Sequence, residues 1–160
     1  MSQHQIETVW MGKMQFNASV NGHTIVMDAP PKVGGEDAGS IPKPFVLVAL
    51  SGCTGMDIVA LLRKSNLKAD QFSMTTTGEL SRHSPIEYVS MHIVYSFKAN
   101  DGMKDSILTA VNDSQEKYCG VSHMLKKALP VTWDVILNDR QIFSNKPVLE
   151  KQPGLQVSEL

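Results

Sequence analysis

The apolar segment Phe45–Lys64 constrains what this chain can fold into more than any other feature of the sequence. Over its first two turns it carries apolar side chains on nearly every helical face, as expected of a helix in the centre of a domain or interface. Arg63 and Lys64 suit the negative end of a helix dipole and mark its C-terminus. Because polar residues and two glycines interrupt the run, it is a poor candidate for a membrane span.

Three runs of β-forming residues, 5–11, 14–20 and 23–28, precede this segment. Gly12-Lys13 and Asn21-Gly22 separate them, and Asn-Gly between alternating runs is a strong hairpin signal. The N-terminal third is therefore predicted to form a three-stranded antiparallel meander. Prolines and glycines across residues 29–44 exclude regular structure there and predict a long connection to the apolar helix.

The rest of the chain alternates between the two-residue periodicity of strands and the 3.6-residue periodicity of helices. Residues 71–82 and 88–99 are predicted to pair as a strand hairpin, residues 103–118 and 121–129 to form two helices, and residues 131–137 to form a last strand. This order is typical of an α+β fold with helices segregated onto sheets. We expect one domain, residues 1–138, and a C-terminal tail or arm over residues 139–160, where apolar anchors are few.

Composition narrows the class of protein further. A chain of 160 residues with 42% hydrophobic content can bury a core without disulfide bonds. The net charge is -1 and the basic residues are scattered, which argues against nucleic acid as a partner. The N-terminus lacks the basic patch and apolar run of a secretory signal. We therefore expect a cytoplasmic protein that does not bind a membrane.

The first cysteine, Cys53, lies in the sequence SGCTGMD within the apolar helix. Each glycine inside a helix costs about 1 kcal/mol relative to alanine, so Gly52 and Gly55 require a compensating reason. Small residues around Cys53 would let another backbone or a ligand approach the sulfur. A cysteine that serves only as core filling is normally enclosed by larger side chains.

The second cysteine, Cys119, lies in EKYCGVSHM at the predicted junction between two helices. Gly120 allows the backbone to break there, and a cysteine at a helix N-terminus would have its thiolate stabilised by unpaired amides and the helix dipole. Lys117 could add positive potential. Two thiols in reach of each other are what redox chemistry requires, but spacing in the sequence does not bring them together.

Other interpretations of these residues are weaker. Two isolated cysteines are often inert core residues. Zinc ligation by both cysteines and His123 is disfavoured because structural zinc sites usually show close C-x-x-C pairs and four ligands. His92, at a strand position, and His23, beside a turn, suit surface or hydrogen-bonded structural roles. For Asp57, one turn after Cys53, an ordinary polar contact is the expected role.

Two motifs carry a resemblance to a known family. The sequence P-x-P-F-x-L-V-A-L-S-G-C-T-G-M-D-I-V around Cys53 and E-K-Y-C-G-V around Cys119 resemble the OsmC/Ohr-like family, and the E-K-Y-C form is most similar to its YhfA-like branch. The resemblance extends from about residue 5 to residue 138 and leaves the tail outside.

The resemblance implies an OsmC-like fold, with antiparallel sheets packed around central buried helices in an intertwined homodimer. It also implies that Cys53 is the peroxidatic thiol and Cys119 the resolving thiol in the reduction of organic hydroperoxides, as part of oxidative or osmotic stress defence. Small dithiols or lipoyl-type reductants would regenerate the pair. No metal or organic cofactor is implied.

The sequence departs from the family's peroxidases at two activating positions. Those proteins carry an arginine in the N-terminal part and a glutamate at the start of the buried helix. Here the arginines are Arg63, Arg82 and Arg140, and Pro44 stands nine residues before Cys53. A lysine would not reproduce a guanidinium fork. Two hypotheses remain open, a thiol peroxidase and a noncatalytic protein that binds a hydrophobic ligand or senses oxidants at the dimer cleft.

Overall fold

A computed structural model describes residues 3–147 of the chain. These residues belong to two compact units, Met1–Ala49 and Leu50–Leu160. The predicted single domain of residues 1–138 stays a prediction. Residues 148–160, most of the predicted tail, lie outside the described residues.

The first unit begins with the predicted meander. Strands β1 (Glu7–Gly12), β2 (Gln15–Val20) and β3 (His23–Met27) pair in antiparallel order. At the second turn Asn21 and Gly22 have φ angles of 51° and 80°. A two-residue hairpin turn of type I′ requires positive φ at both central positions, which explains why Asn-Gly predicts this hairpin correctly.

The connection after β3 is ordered around the carboxylate of Asp28, which is only 2% exposed. Oδ1 accepts a hydrogen bond from the amide of Ala29 at 2.8 Å, and Oδ2 accepts from the amides of Glu36 and Ala38 at 2.9 and 3.1 Å. The backbone of Gly35 packs tightly against that of Ala29. A Cβ at position 35 would lie 1.8 Å from the carbonyl oxygen of Ala29, so a larger residue does not fit there. The predicted long connection is therefore a folded loop.

Helix α1 (Phe45–Lys64) has the predicted bounds, but it is buried along one stripe instead of on all sides. Leu50, Ile58 and Leu62 are at most 5% exposed, whereas Met56 is 77% exposed. By length and composition alone α1 could cross a membrane, with a mean hydropathy of 2.1 over its most apolar window. It is the one helix within residues 3–147 that meets these criteria, and the core helix of a soluble protein meets them too.

The second unit contains a four-stranded sheet in the order β4 (Gln71–Leu80), β5 (Tyr88–Lys98), β6 (Val131–Leu137), β7 (Arg140–Ser144). The predicted hairpin of β4 and β5 is confirmed. The expectation of antiparallel sheets is wrong for β5 and β6, which pair in parallel. Two helices lie between these strands in the sequence, and a long helical crossover is what a parallel pair requires.

Those helices are α2 (Lys104–Asp113) and α3 (Gly120–Lys126). Between them Ser114–Tyr118 adopts the wider π-helical turn, and a 3₁₀ turn, Asp101–Met103, precedes α2. The predicted continuous helix over residues 103–118 is thus divided into three parts. Alternate residues of β5, including Ile93, Tyr95 and Phe97, are fully or almost fully buried and form the core of the unit.

Strand β7 occupies the beginning of the predicted tail. Asn138 and Asp139 have φ angles of 50° and 64° and connect β6 to β7 as a two-residue turn. Both residue types tolerate positive φ better than most, so the turn has a sequence signal. Within the predicted tail or arm, Arg140–Ser144 therefore forms a strand of this sheet.

Candidate redox site

Both cysteines are free thiols, and the fold brings them together with Asp57. The two Sγ atoms and a carboxylate oxygen of Asp57 all lie within 4.8 Å of one another. Cys53 and Asp57 are four residues apart on α1, so their side chains project from the same face of the helix. Cys119 approaches from the start of α3. The structure therefore brings together the two cysteines that the sequence singles out.

The position of Cys119 depends on the break between α2 and α3. The amide of Cys119 closes the π-helical turn by donating to the carbonyl oxygen of Ser114 at 2.9 Å. Its backbone then becomes extended, and its Sγ accepts a hydrogen bond from the amide of Ser122 at 3.3 Å. The predicted placement at a helix N-terminus is confirmed. π-Helical turns of this kind occur frequently at functional sites.

The expectation that this position favours the thiolate of Cys119 is wrong. Burial raises the pKa of Cys119 to about 11, and its hydrogen bond with Cys53 acts in the same direction. The amides of Ser122 and Val121 lower the pKa but do not compensate. With only 3% of its surface exposed, Cys119 retains its proton at neutral pH.

Lys117 does not supply the expected positive potential as a free charge. Its ammonium group forms an ion pair with Asp113 at 2.7 Å, one turn earlier in the chain. The hydrogen bond to Asp113 raises the pKa of Lys117. The lysine is therefore part of a surface pair.

Asp57 is held by the segment that precedes Cys119. The hydroxyl of Ser114 lies 3.2 Å from Oδ2 of Asp57 and 3.2 Å from the carbonyl oxygen of Thr54, and it can donate to either. Ser114 is fully buried, so this contact connects α1 to the π-helical turn without water. The expected ordinary polar contact of Asp57 exists, and it also places the carboxylate beside both thiols.

A buried chain of hydrogen bonds supports the Cys119 side of the site. Gln115 donates through Nε2 to the Tyr95 hydroxyl at 2.6 Å, and it accepts through Oε1 from the Ser122 hydroxyl at 2.6 Å. Lys126 donates to the carbonyl oxygen of Gln115 at 2.9 Å. Burial raises the pKa of Tyr95 to about 12, so the phenol stays neutral.

Sequence reasoning missed this chain of hydrogen bonds, although part of it has a sequence signal. Gln115 and Ser122 stand four residues before and three residues after Cys119, which are helical spacings. Tyr95 gives no comparable signal because it occupies a regular core position of β5. Its role becomes visible only in the folded protein, where Gln115 of the π-helical turn contacts its hydroxyl.

The histidines play the structural roles expected or lie outside the site. His92 hydrogen-bonds through Nδ1 with Thr132 at 2.9 Å and through Nε2 with Asp134 at 3.1 Å. His123 is exposed. Within residues 3–147 it does not join the group of Cys53, Asp57 and Cys119, so both cysteines and His123 do not form the zinc ligand set that the sequence already disfavoured.

The two glycines around Cys53 have different surroundings. A Cβ at Gly55 would lie 2.5 Å from Cε of Met74, so close packing against β4 explains this glycine. A Cβ at Gly52 would meet nothing within 4 Å. Gly52 and Met56 line an open groove of about 450 Å³ together with Val59 and Phe72.

Comparisons with known proteins agree with this arrangement. The sequence profile of the family described as OsmC-like protein matches residues 35–134. Protein YhfA of Escherichia coli K12 is 30% identical over 129 residues, which cover 80% of this chain and 93% of YhfA. A solved OsmC-like protein from Mycoplasma pneumoniae has a TM-score of 0.72 at 15% identity, over 85% of this chain and 97% of its own. An organic hydroperoxide resistance protein, OsmC, from Legionella pneumophila has a TM-score of 0.63 at 12% identity, over 85% and 98%.

The two solved structures support the fold alone, since their sequence identity is low. The profile is more informative, because it spans more than half of the chain and includes both Cys53 and Cys119. The likeness to YhfA extends over most of the sequence. The resemblance carried by the two cysteine motifs is confirmed, and the chain belongs to the OsmC-like family.

Proposed function

We propose that this protein reduces hydroperoxides with the thiols of Cys53 and Cys119, as a cytoplasmic homodimer that a dithiol regenerates. The observation that supports this most is the convergence of the two free sulfur atoms, which lie within 4.8 Å of each other. Peroxide reduction through a disulfide requires such a pair. The Legionella pneumophila neighbour is named an organic hydroperoxide resistance protein, which supports the substrate class.

The difference in exposure between the two cysteines supports the role proposed for each. Cys53 is half-buried and can be reached from solvent, whereas Cys119 is 3% exposed. The Cys53 thiolate attacks one peroxide oxygen, so that an S–O bond forms and the O–O bond breaks. The released alkoxide takes up a proton and leaves as an alcohol, and Cys53 becomes a sulfenic acid.

Cys119 then resolves the oxidised sulfur. Its sulfur attacks the sulfenic sulfur of Cys53, the S–S bond forms, and the hydroxyl leaves as water with the proton of Cys119. Because the pKa of Cys119 is raised to about 11, that proton stays on the sulfur until the second step. A dithiol or lipoyl-type reductant reduces the disulfide by two thiol exchanges and is itself oxidised to a disulfide.

The exposed apolar surface of α1 supports both the homodimer and an organic substrate. Met56 and Val59 are 77% and 43% exposed and line the groove of about 450 Å³. A second copy that covers this surface would remove it from water and turn the groove into an apolar approach to Cys53. An organic hydroperoxide suits such an approach better than hydrogen peroxide does.

A second candidate function is stoichiometric sensing of oxidants, or binding of a hydrophobic ligand, without turnover. The observation that favours it is the position of the arginines, none of which lies before residue 63, together with Pro44 in place of an activating glutamate. A thiol without such neighbours reacts slowly. In that case the same two cysteines would be oxidised once and would not be returned to thiols by a catalytic cycle.

Thiol mapping tests the proposal. Reduced protein receives one equivalent of an organic hydroperoxide, and its thiols are identified by mass spectrometry beside Cys53→Ser and Cys119→Ser. We expect a disulfide between the two cysteines in the natural protein and a trapped sulfenic acid at Cys53 in Cys119→Ser. Sustained turnover with a dithiol separates a peroxidase from a sensor, which stops after one equivalent. Two persistently free thiols would refute both redox functions.

A further inference from the structure

The carboxylate of Asp57 stands beside the two thiols, and the peroxide reaction has no step for it. Its oxygen and the two Sγ atoms form a triangle whose sides are all within 4.8 Å. Asp57 is half-buried and is oriented by the buried hydroxyl of Ser114 at 3.2 Å. Two sulfur donors and one carboxylate at this spacing are the elements of a metal site with three protein ligands.

We infer that the reduced protein binds a thiophilic divalent cation of the zinc class through Cys53, Asp57 and Cys119, with the fourth position open to water. Metal–sulfur bonds of about 2.3 Å and metal–oxygen bonds of about 2.0–2.2 Å place the ligand atoms of a tetrahedral site about 3.4–3.8 Å apart. The three atoms lie within 4.8 Å of one another before any cation is bound, so a cation has to draw them closer together. Small side-chain rotations complete the geometry.

The donor set selects the kind of cation. Thiolates bind zinc, cobalt and cadmium well, whereas magnesium and calcium take sets of oxygen ligands. Two thiolates and one carboxylate carry three negative charges, which a divalent cation largely neutralises. Groups outside the donor set also orient it, since the amide of Ser122 contacts Sγ of Cys119 at 3.3 Å and Ser114 contacts Asp57.

Binding is coupled to protons. Both cysteines enter as thiols, and each S–H bond is replaced by a metal–sulfur bond, so that one divalent cation displaces two protons into solvent. Because both thiols must lose a proton to bind the cation, we expect the affinity to rise with pH. Half-buried Cys53 gives the cation a route to the site.

The consequence is a competition at one site, and this part rests on the proposed peroxide chemistry. A bound cation occupies the electron pairs with which Cys53 attacks peroxide and Cys119 resolves the sulfenic acid. Conversely, a disulfide removes two of the three ligands and expels the cation. The reduced thiols would therefore be held in a protected state by the metal and released from it by oxidation or by a chelator.

Cobalt titration tests the site directly. Co²⁺ is added without oxygen to reduced, chelator-treated full-length protein, and the thiolate-to-cobalt charge-transfer absorption is followed. We expect saturation at one equivalent per chain, displacement by Zn²⁺, and loss of the band in Cys53→Ser and Cys119→Ser. Asp57→Asn keeps the shape of the side chain and should weaken Zn²⁺ binding at least tenfold, within the range for lost site interactions.

Matched variants and one oxidation step complete the design. Asp105→Asn removes an exposed carboxylate from α2, and His123→Ala removes the histidine outside the site, so neither should change the affinity. Natural protein oxidised to the disulfide should give no band, which tests the site without any variant. Absence of the band in reduced natural protein, or unchanged affinity in Asp57→Asn, would overturn the inference. If peroxide still forms the disulfide in that case, the proposed function survives without the metal site.

Discussion

The loop after β3 and the junction before α3 both bury a titratable side chain against backbone amides, yet their pKa values shift in opposite directions. Asp28 is 2% exposed, and hydrogen bonds from the amides of Ala38, Glu36 and Ala29 lower its pKa. Cys119 is 3% exposed, and burial raises its pKa to about 11 despite the amide of Ser122. The exposed fraction of the side chain therefore does not by itself distinguish the two groups.

The difference lies in the balance between desolvation and hydrogen-bond donors. At Asp28 three short amide contacts outweigh the loss of water, whereas at Cys119 desolvation is the largest cause of the shift and the amides of Ser122 and Val121 do not compensate it. The first arrangement stabilises a charge and fixes a loop. The second keeps a thiol neutral and available for a later step. Backbone amides thus stabilise a folded loop in one region and contact a reactive thiol in the other.

The largest expected effect concerns the reactivity of Cys119. A pKa raised from 9.0 to about 11 leaves roughly a hundredfold less thiolate at neutral pH, and only the thiolate is alkylated. In Cys53→Ser the contribution of Cys53 to this shift is lost, but burial, its largest cause, remains. In that variant at pH 8 we expect Cys119 to react with iodoacetamide more than about tenfold more slowly in the folded protein than in urea. Mass spectrometry of quenched samples measures both rates. Equal rates would show that burial does not control this thiol.

The second prediction tests the hydrogen bonds around Cys119. Gln115→Met keeps the length of the side chain but removes the partner of the buried Ser122 hydroxyl and one of the partners of the buried Tyr95 hydroxyl, which keeps its hydrogen bond with Thr54. An unpartnered buried group costs about 1–3 kcal/mol, so we expect the free energy of unfolding to fall by about 1–3 kcal/mol. Urea denaturation of the reduced protein measures it. Gln141→Met, at an exposed position of β7, is the control and should change little.

Some features of the fold and of the site can be predicted from local sequence patterns. The bounds of α1 and β6 follow from local patterns, since an apolar run and a short β-branched run each fix one element. The spacing of Cys53 and Cys119 does not predict that they meet, and only the family resemblance carried by their two motifs implies the pair. Motifs of this kind are local in the sequence even when the residues meet in space.

Other features depend on pairing between distant segments. The parallel register of β5 and β6 is set by how the intervening helices pack, and Tyr95 reaches Gln115 only because of that packing. The raised pKa of Cys119 has the same origin, because a helix N-terminus predicts a lowered value until burial is known. Sequence position identified the favourable amide but not the loss of water that outweighs it.

A third, smaller effect is expected at Asp28, where the charge stabilises the fold. Asp28→Asn retains the shape but replaces one acceptor oxygen with a donor that faces an amide, so the neutral-pH stability should fall. The lowered pKa means that the carboxylate's contribution is fully present above its ordinary value of 3.8 and is lost as pH falls through the folded value. Urea midpoints at several pH values should therefore differ most near pH 7 and converge in acid. A constant difference at all pH values would exclude a role for the charge.

The smallest effect sharpens the comparison within the same loop, at Glu36. Its backbone amide donates to Asp28 at 2.9 Å, whereas its side chain forms an ion pair with Lys13 in which both groups are about 60% exposed. Exposed pairs contribute about 0–1 kcal/mol, because water screens the charges and both side chains lose freedom. Glu36→Gln keeps the amide and should lower the free energy of unfolding by less than about 1 kcal/mol, an effect that salt abolishes. A larger, salt-independent loss would mean that the side chain, and not only the backbone around Asp28, holds this loop.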